Sequence, residues 1–236
     1  LNTSKLNQLE RFVKKFPQEG VLMSGEQLHS KLDEIEKIRG LYTPLQLGLA
    51  AAVACAAFTF LLGGGPIEML CAFIGAGAGN HLRCHLIKRH FTLYLCIISS
   101  VALACLSYTV SLRLLETFFS IPGSHEAGYI CAMLYIIPGF PFITSGIDLA
   151  KLDMRSGLER LAYAVIIVVT ATITGWVMST ALNLHPADFA DLNIPPALHL
   201  ILRLAASFAG VFGFSIMFNS PVPIASAAAL IGAVAN

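Results

Sequence analysis

The residues best suited to chemistry lie in one interrupted apolar stretch. Between Tyr135 and Asp148 the sequence breaks at Pro138-Gly139-Phe140-Pro141 and continues through Thr144 and Ser145 to an acid. Each proline lacks an amide donor, and its ring disfavours continuation of the preceding helical turn, so backbone groups nearby are expected to be freed. In hydrocarbon such groups need partners, and a broken span is tolerated where it packs within protein or lines a polar cavity. A half-helix starting near Pro141 would turn its first amides toward an anionic group such as a carboxylate. On it, Thr144 and Asp148 are four residues apart and share a face, with Ser145 adjacent: two hydroxyls for hydrogen bonding and one carboxylate for an amino group or a coupling proton.

An ionised Asp at the bilayer centre costs about 2.5 to 3.5 kcal/mol, which favours a paired or functional position. Asp148 also lies three residues before Lys151, so pairing with Lys151 or Arg155 at the membrane interface is the alternative. His199 and Arg203 are four residues apart on one helical face, either a counter-ion site or an arginine snorkelling to the headgroups. His81 and His85 have the spacing that can hold a metal, with His90 nearby, but no carboxylate or cysteine is placed as a third ligand. A solvated face is the better reading, and no metal or other cofactor is expected. Gly63-Gly64-Gly65-Pro66 reads as a turn rather than a phosphate loop, as does Asn219-Ser220 before Pro221.

These residues belong to a chain that is 56% hydrophobic and 12% charged with a mean hydropathy of +0.73, values of a polytopic membrane protein. Its net charge of +1 gives no reason to expect nucleic acid. A hydrocarbon layer of about 30 Å takes roughly 20 helical residues to cross. Apolar runs of about that length place five spans at 44–62, 66–82, 91–112, 128–149 and 161–182, within a membrane domain over 44–182. A loop at 183–197 follows, expected outside the cytoplasm, and then two further spans within 198–236. The chain opens on Leu1 and stops inside an apolar run at Asn236, so it is expected to be an excerpt of a longer protein. The six cysteines lie in or beside apolar runs without CxxC spacing, which suits buried thiols better than a disulfide framework.

Basic residues divide unevenly between the loops, and this bias sets orientation. Lys5, Arg11, Lys14, Lys15, Lys31, Lys37 and Arg39 precede the first span; Arg83, Lys88 and Arg89 follow the second; Lys151, Arg155 and Arg160 follow the fourth. The alternate loops hold only Arg113. The N-terminus is therefore expected in the cytoplasm. Residues 1–43 read as two cytoplasmic amphipathic helices, the end of a truncated soluble region. Leu6, Leu9, Phe12, Val13 and Phe16 share one face, and Leu28, Leu32, Ile35 and Ile38 another, with Ser24 and Gln27 forming a capping box.

Residues 66–78 and 223–235 match at seven of thirteen positions, an offset of 157 residues from Pro66 to Pro223. That offset carries the second span onto the seventh, five spans later, and an odd number reverses direction across the bilayer. The expected fold is thus an all-α membrane protein: a five-span repeat plus the first two spans of a second, inverted repeat, a common plan for secondary transporters. Coincidence between two Gly/Ala-rich packing helices is the other explanation.

Intramembrane proteolysis fits poorly. A rhomboid-like enzyme needs Gly-x-Ser-Gly where residues 143–146 are Ile-Thr-Ser-Gly, and an aspartyl enzyme needs Gly-x-Gly-Asp where Asp148 follows Ser145-Gly146-Ile147. No enzymatic activity is expected.

The run Ile136-Ile-Pro-Gly-Phe-Pro-Phe-Ile-Thr144, followed by Asp148, Gly157-Leu158 and Arg160, resembles the signature of the threonine/serine exporter family (ThrE). Residues from about 6 to 182 look like its YjjP-like half. Phe214 through Pro221 to Ile231-Gly232 is similar to the opening of the YjjB-like half. The resemblance implies two five-span halves and export of threonine and serine across the inner membrane, driven by the proton-motive force. In some members it implies export of dicarboxylates such as succinate. The partners it implies are the small-molecule substrate, protons and membrane lipid, with a homo-oligomer or pairing to a second-half subunit. A non-transporting scaffold or partner subunit is the reading from another class. Together these considerations put the substrate or ion site at Pro138, Gly139, Pro141, Thr144, Ser145, Asp148, His199 and Arg203.

Overall fold

The computed structural model describes residues 3–20, 23–38, 40–119, 125–186, 188–189 and 194–235; Arg39, Asn236 and parts of the 183–197 loop fall outside them. Helices take up 82% of the described residues, with no strand among them. Backbone groups are thus satisfied within segments, as a hydrocarbon solvent requires.

Two helices, α1 (Thr3–Glu19) and α2 (Gly25–Glu36), precede the apolar region. Ser24 and Gln27 form the reciprocal capping box that starts α2. Then follow α3 (Pro44–Leu61), α4 (Pro66–Lys88), α5 (Leu93–Phe118), the short α6 (Gly128–Ala132) with a 3-10 turn (Leu134–Ile136), α7 (Gly139–Ala150), α8 (Met154–Ala181), α9 (Pro196–Met217) and α10 (Val222–Ala235). Thr43 and Gln46 cap α3 as Ser24 and Gln27 cap α2. The turn from α3 to α4 needs Gly63, whose φ of +101° an L side chain rarely adopts.

Among the described residues four helices, α3, α5, α8 and α9, are long and apolar enough to cross a membrane, and α6 with α7 makes a fifth if the bent pair is one span. α4 falls short of that hydropathy because it carries Glu68, Asn80, His81 and Arg83. Its neighbours shield it instead: it packs against α3, α5 and α6, and Glu68, Cys71, Ala72, Ala76 and Asn80 are all buried. Small residues allow this. A β-carbon on Gly75 would lie 2.8 Å from the Ala104 carbonyl and one on Gly79 2.8 Å from that of Ser100, so α4 and α5 are in near backbone contact. Across the bundle α9 meets α3 the same way, Gly213 against the Ala50 carbonyl at 2.6 Å.

Hairpin connections make successive helices alternate in direction. One end of the bundle collects the starts of α3, α5 and α8 and the ends of α4, α7 and α9; the other collects the α3–α4 turn, the start of α6 and the start of α9. At the first end the Leu41 amide donates to Asn219 Oδ1 at 2.7 Å and the Tyr42 hydroxyl to the Ser220 carbonyl at 2.8 Å, clasping the approach to α3 onto the α9–α10 turn. The cysteines are thiols, five buried in the core and Cys84 half-buried.

Candidate functional site

The break is built from local backbone chemistry. The 3-10 turn closes with the Ile137 amide on the Leu134 carbonyl at 3.0 Å. Pro138 cannot donate, and the chain turns so that α6 with its 3-10 extension and α7 meet at 59°. The half-helix begins at Gly139, two residues ahead of the expected Pro141. Pro141 therefore occupies the first turn, where its missing N–H breaks no helical bond. The Gly139 amide donates to Ile137 O at 2.9 Å and Phe142 to Pro138 O at 3.2 Å. Of the donors expected to be freed, the Phe140 amide alone lacks an acceptor among the described residues, a much smaller anion site than the sequence suggested.

Along α7 the expected side chains take different jobs. Ser145 is buried, and its hydroxyl donates to the Gly157 carbonyl of α8 at 2.8 Å, a helix-to-helix tie rather than an open donor. Thr144 Oγ1 donates back to Phe140 O at 3.0 Å and to Pro141 O at 3.2 Å, but the residue stays half-buried on the wall of a cavity. Asp148 pairs with neither Lys151 nor Arg155. Its Oδ2 lies 3.0 Å from Nη1 of Arg160, across the α7–α8 turn, while Arg155 reaches Glu159 at 3.2 Å on its own helix.

Arg160, Glu159, Thr144, Pro141, Phe140, Tyr163 and Leu6 of α1 line a cavity of about 470 Å³ between α7 and α8. Its polar lining is one guanidinium, one carboxylate and two hydroxyls, those of Thr144 and Tyr163. A second cavity of about 430 Å³ is apolar, walled by Phe58, Leu134, Ile137, Ile143, Phe214 and Phe218 from α3, the break and α9. Phe140 lines both and stands between them. Both volumes suit small ligands.

His199 and Arg203 are not brought to the break. They sit in the first turns of α9, His199 with its ring 5.9 Å from that of Phe60 near the far end of α3, at the opposite end of the bundle from Asp148. The rings of His81 and His85 lie tilted at 56° with centroids 4.4 Å apart, and His85 Nδ1 lies 3.0 Å from the His81 carbonyl oxygen. No group of three His, Cys, Asp or Glu placed to hold a metal occurs among the described residues.

One constellation escaped the sequence reading. Glu68, in the first turn of α4, is 2% exposed, and its Oε1 lies 2.7 Å from Nδ1 of His125, itself 9% exposed. Oε2 of the same carboxylate accepts from the Gly65 amide at 2.9 Å. The Tyr108 hydroxyl donates to the His125 carbonyl. Outside this pair, Arg113 bridges Glu116 at 2.9 Å and Glu126 at 2.8 Å, and the His185 amide donates to Glu126 Oε2 at 2.6 Å. A signal was present in the sequence: Glu68 is the only acid between residues 44 and 112. The rule that an acid within a membrane segment marks a site, applied to Asp148, applies to Glu68 with more force.

Comparison with known proteins places these features. Residues 1–183 match the family described as "Putative threonine/serine exporter" (ThrE). The chain is 27% identical over 160 residues to the "Probable succinate transporter subunit YjjP" of Escherichia coli K12, a match covering 67% of this chain and 59% of that protein. It is 26% identical over 207 residues to "Pheromone-regulated membrane protein 10" of Debaryomyces hansenii, covering 78% of this chain and 19% of that protein. The chain thus spans about three fifths of one curated relative and a fifth of the other. No solved structure matches.

Proposed function

We propose, since this chain belongs to the threonine/serine exporter family, that it is part of a secondary transporter that exports small polar amino acids across the inner membrane, driven by the proton-motive force. The observation that carries the reading is the broken span beside a cavity with one guanidinium, one carboxylate and the hydroxyls of Thr144 and Tyr163. That set complements a hydroxylated zwitterion: Arg160 for the carboxylate, Glu159 for the ammonium group, Thr144 for the side-chain hydroxyl. Arg160 has its side chain half exposed, so donors beyond the one facing Asp148 are available to a ligand. Swinging α7 about Pro138 would open the cavity to one side of the membrane and then the other, the motion alternating access requires.

The uneven loop charges support a cytoplasmic N-terminus, which would put this cavity toward the cytoplasm, where an exporter loads. The hairpins α3–α4 and α9–α10, linked by the 157-residue offset, run in opposite directions, which supports the inverted-repeat reading.

Dicarboxylate export is the second reading, favoured by the name of the bacterial relative, which also suggests pairing with another subunit. It asks for a second cation in the cavity, whereas Arg160 is already faced by Asp148. Efflux of labelled threonine from vesicles, with and without succinate, separates the two. On the amino-acid reading Arg160→Gln lowers efflux about tenfold, the loss of one charge-assisted contact. Thr144→Val narrows the preference for threonine over alanine, and succinate does not compete. Wild-type efflux in both variants would remove the site assignment.

A further inference from the structure

Among the acids of the apolar region that have basic partners, Asp148 and Glu68 differ in kind. Asp148 meets an arginine, which stays charged at any accessible pH and cannot share a proton. Glu68 meets a histidine, whose ordinary pKa lies near neutrality, and the pair is closed off from lipid and water. We infer that the Glu68–His125 pair carries the coupling proton, loading it from the bath at its own end of the bundle and lying apart from the substrate cavity at the α7–α8 end. This inference rests on the transport reading above.

The pair is a built site. Oε2 of Glu68 is held by the Gly65 amide, leaving Oε1 for His125 alone. Gly128 closes over it, since a β-carbon there would lie 3.0 Å from Cβ of Glu68 and against the Tyr108 hydroxyl. Among the described residues the titratable groups facing it include Cys71 on α4, Tyr108 and Glu116 on α5, Cys131 on α6 and Glu126 beside His125. Among the described residues of the rim, Arg113 faces the two carboxylates Glu116 and Glu126, a net negative set that favours a proton over an anion. With imidazole neutral and carboxylate ionised the pair bears a single negative charge; one added proton, on the imidazole or the carboxyl, makes it neutral overall, and its release restores the starting state. The change alters the strength of the contact between α4 and the segment leading into α6. That segment leads through α6 to the break, giving proton loading a direct route to the hinge.

Glu68 also caps α4, so the test must separate a cap from a proton carrier. Glu68→Gln keeps an oxygen for the Gly65 amide while removing the titration. In liposomes holding the natural full-length protein, uptake against a gradient driven by an imposed pH difference is compared with one-for-one exchange, for labelled threonine and labelled succinate. Glu68→Gln is expected to lose driven accumulation by about tenfold or more, with exchange within about twofold of wild type. Glu68→Asp is expected to restore driven transport with a displaced pH profile, and His125→Gln to flatten that profile. Equal loss of both activities in Glu68→Gln and His125→Gln, or an unchanged ratio in both, overturns the inference. If wild type moves a substrate without regard to the pH difference, this inference fails and the transport reading stands; if wild type moves neither substrate, both fail.

Discussion

Two of the bundle's acid–base pairs, at its opposite ends, illustrate two uses of charge in an apolar protein. At the α7–α8 end, Asp148 and Arg160 meet at 3.0 Å with side chains 21% and 51% exposed, beside a cavity open to ligands. At the other end, Glu68 and His125 meet at 2.7 Å with side chains 3% and 10% exposed, under a glycine lid. A half-exposed pair adds little to stability and keeps its donors for other work, whereas breaking a buried pair leaves polar groups short of hydrogen bonds in a medium that cannot solvate them. The difference teaches that burial decides which pair holds the fold and which greets a ligand.

Substitutions can break this contrast. The largest effect is expected from Glu68→Ala, which removes the hydrogen bonds that the carboxylate makes with the Gly65 amide and with His125 Nδ1 and should cost about 2 to 6 kcal/mol in detergent unfolding, about 1 to 3 kcal/mol for each buried bond, against less than about 1 kcal/mol for Asp148→Ala. Equal costs would abolish the distinction. Next comes the α4–α5 contact that supports the buried pair: Gly79→Ala puts a methyl 2.8 Å from the Ser100 carbonyl and 2.9 Å from Ala104 Cβ, for a loss of about 1 to 3 kcal/mol and a matching fall in Tm. At the cavity end, Pro138→Ala restores an amide donor, so helical circular dichroism should rise by about a turn while efflux falls several-fold, with stability changed by no more than about 1 kcal/mol. The smallest effect belongs to Gly139→Ala, whose β-carbon would have no neighbour within 4 Å. Unfolding should move by less than about 0.5 kcal/mol.

The sequence revealed what short-range chemistry decides. The helical class follows from composition, the α2 cap from Ser24 and Gln27, and the break from Pro138, since each needs only neighbours along the chain. Partners across space were another matter. Asp148 looked three and seven residues along the chain to Lys151 and Arg155, but the α7–α8 turn brings Arg160 to it instead. Ser145 reads as a ligand hydroxyl until α8 supplies the Gly157 carbonyl. Glu68 went unnoticed because it sits two residues after a helix-starting proline, where an acid is ordinary. Its burial depends on α5, α6 and His125, 57 residues further on. Likewise α4 has too many polar groups for a hydropathy criterion, because surroundings of protein relax the demand that lipid makes.

The clasp from Leu41 and Tyr42 to Asn219 and Ser220 sets a schedule for biogenesis. Its halves are 178 residues apart. At roughly 5 to 20 residues per second, synthesis takes about 10 to 35 s to deliver the second half after the first. For that interval the alanine face of α3 that will receive Gly210 and Gly213 has no helix to meet and must rest against lipid or an insertion factor. The ribosome therefore builds the α3–α8 core first, and α9 closes it as a late, separable act of assembly.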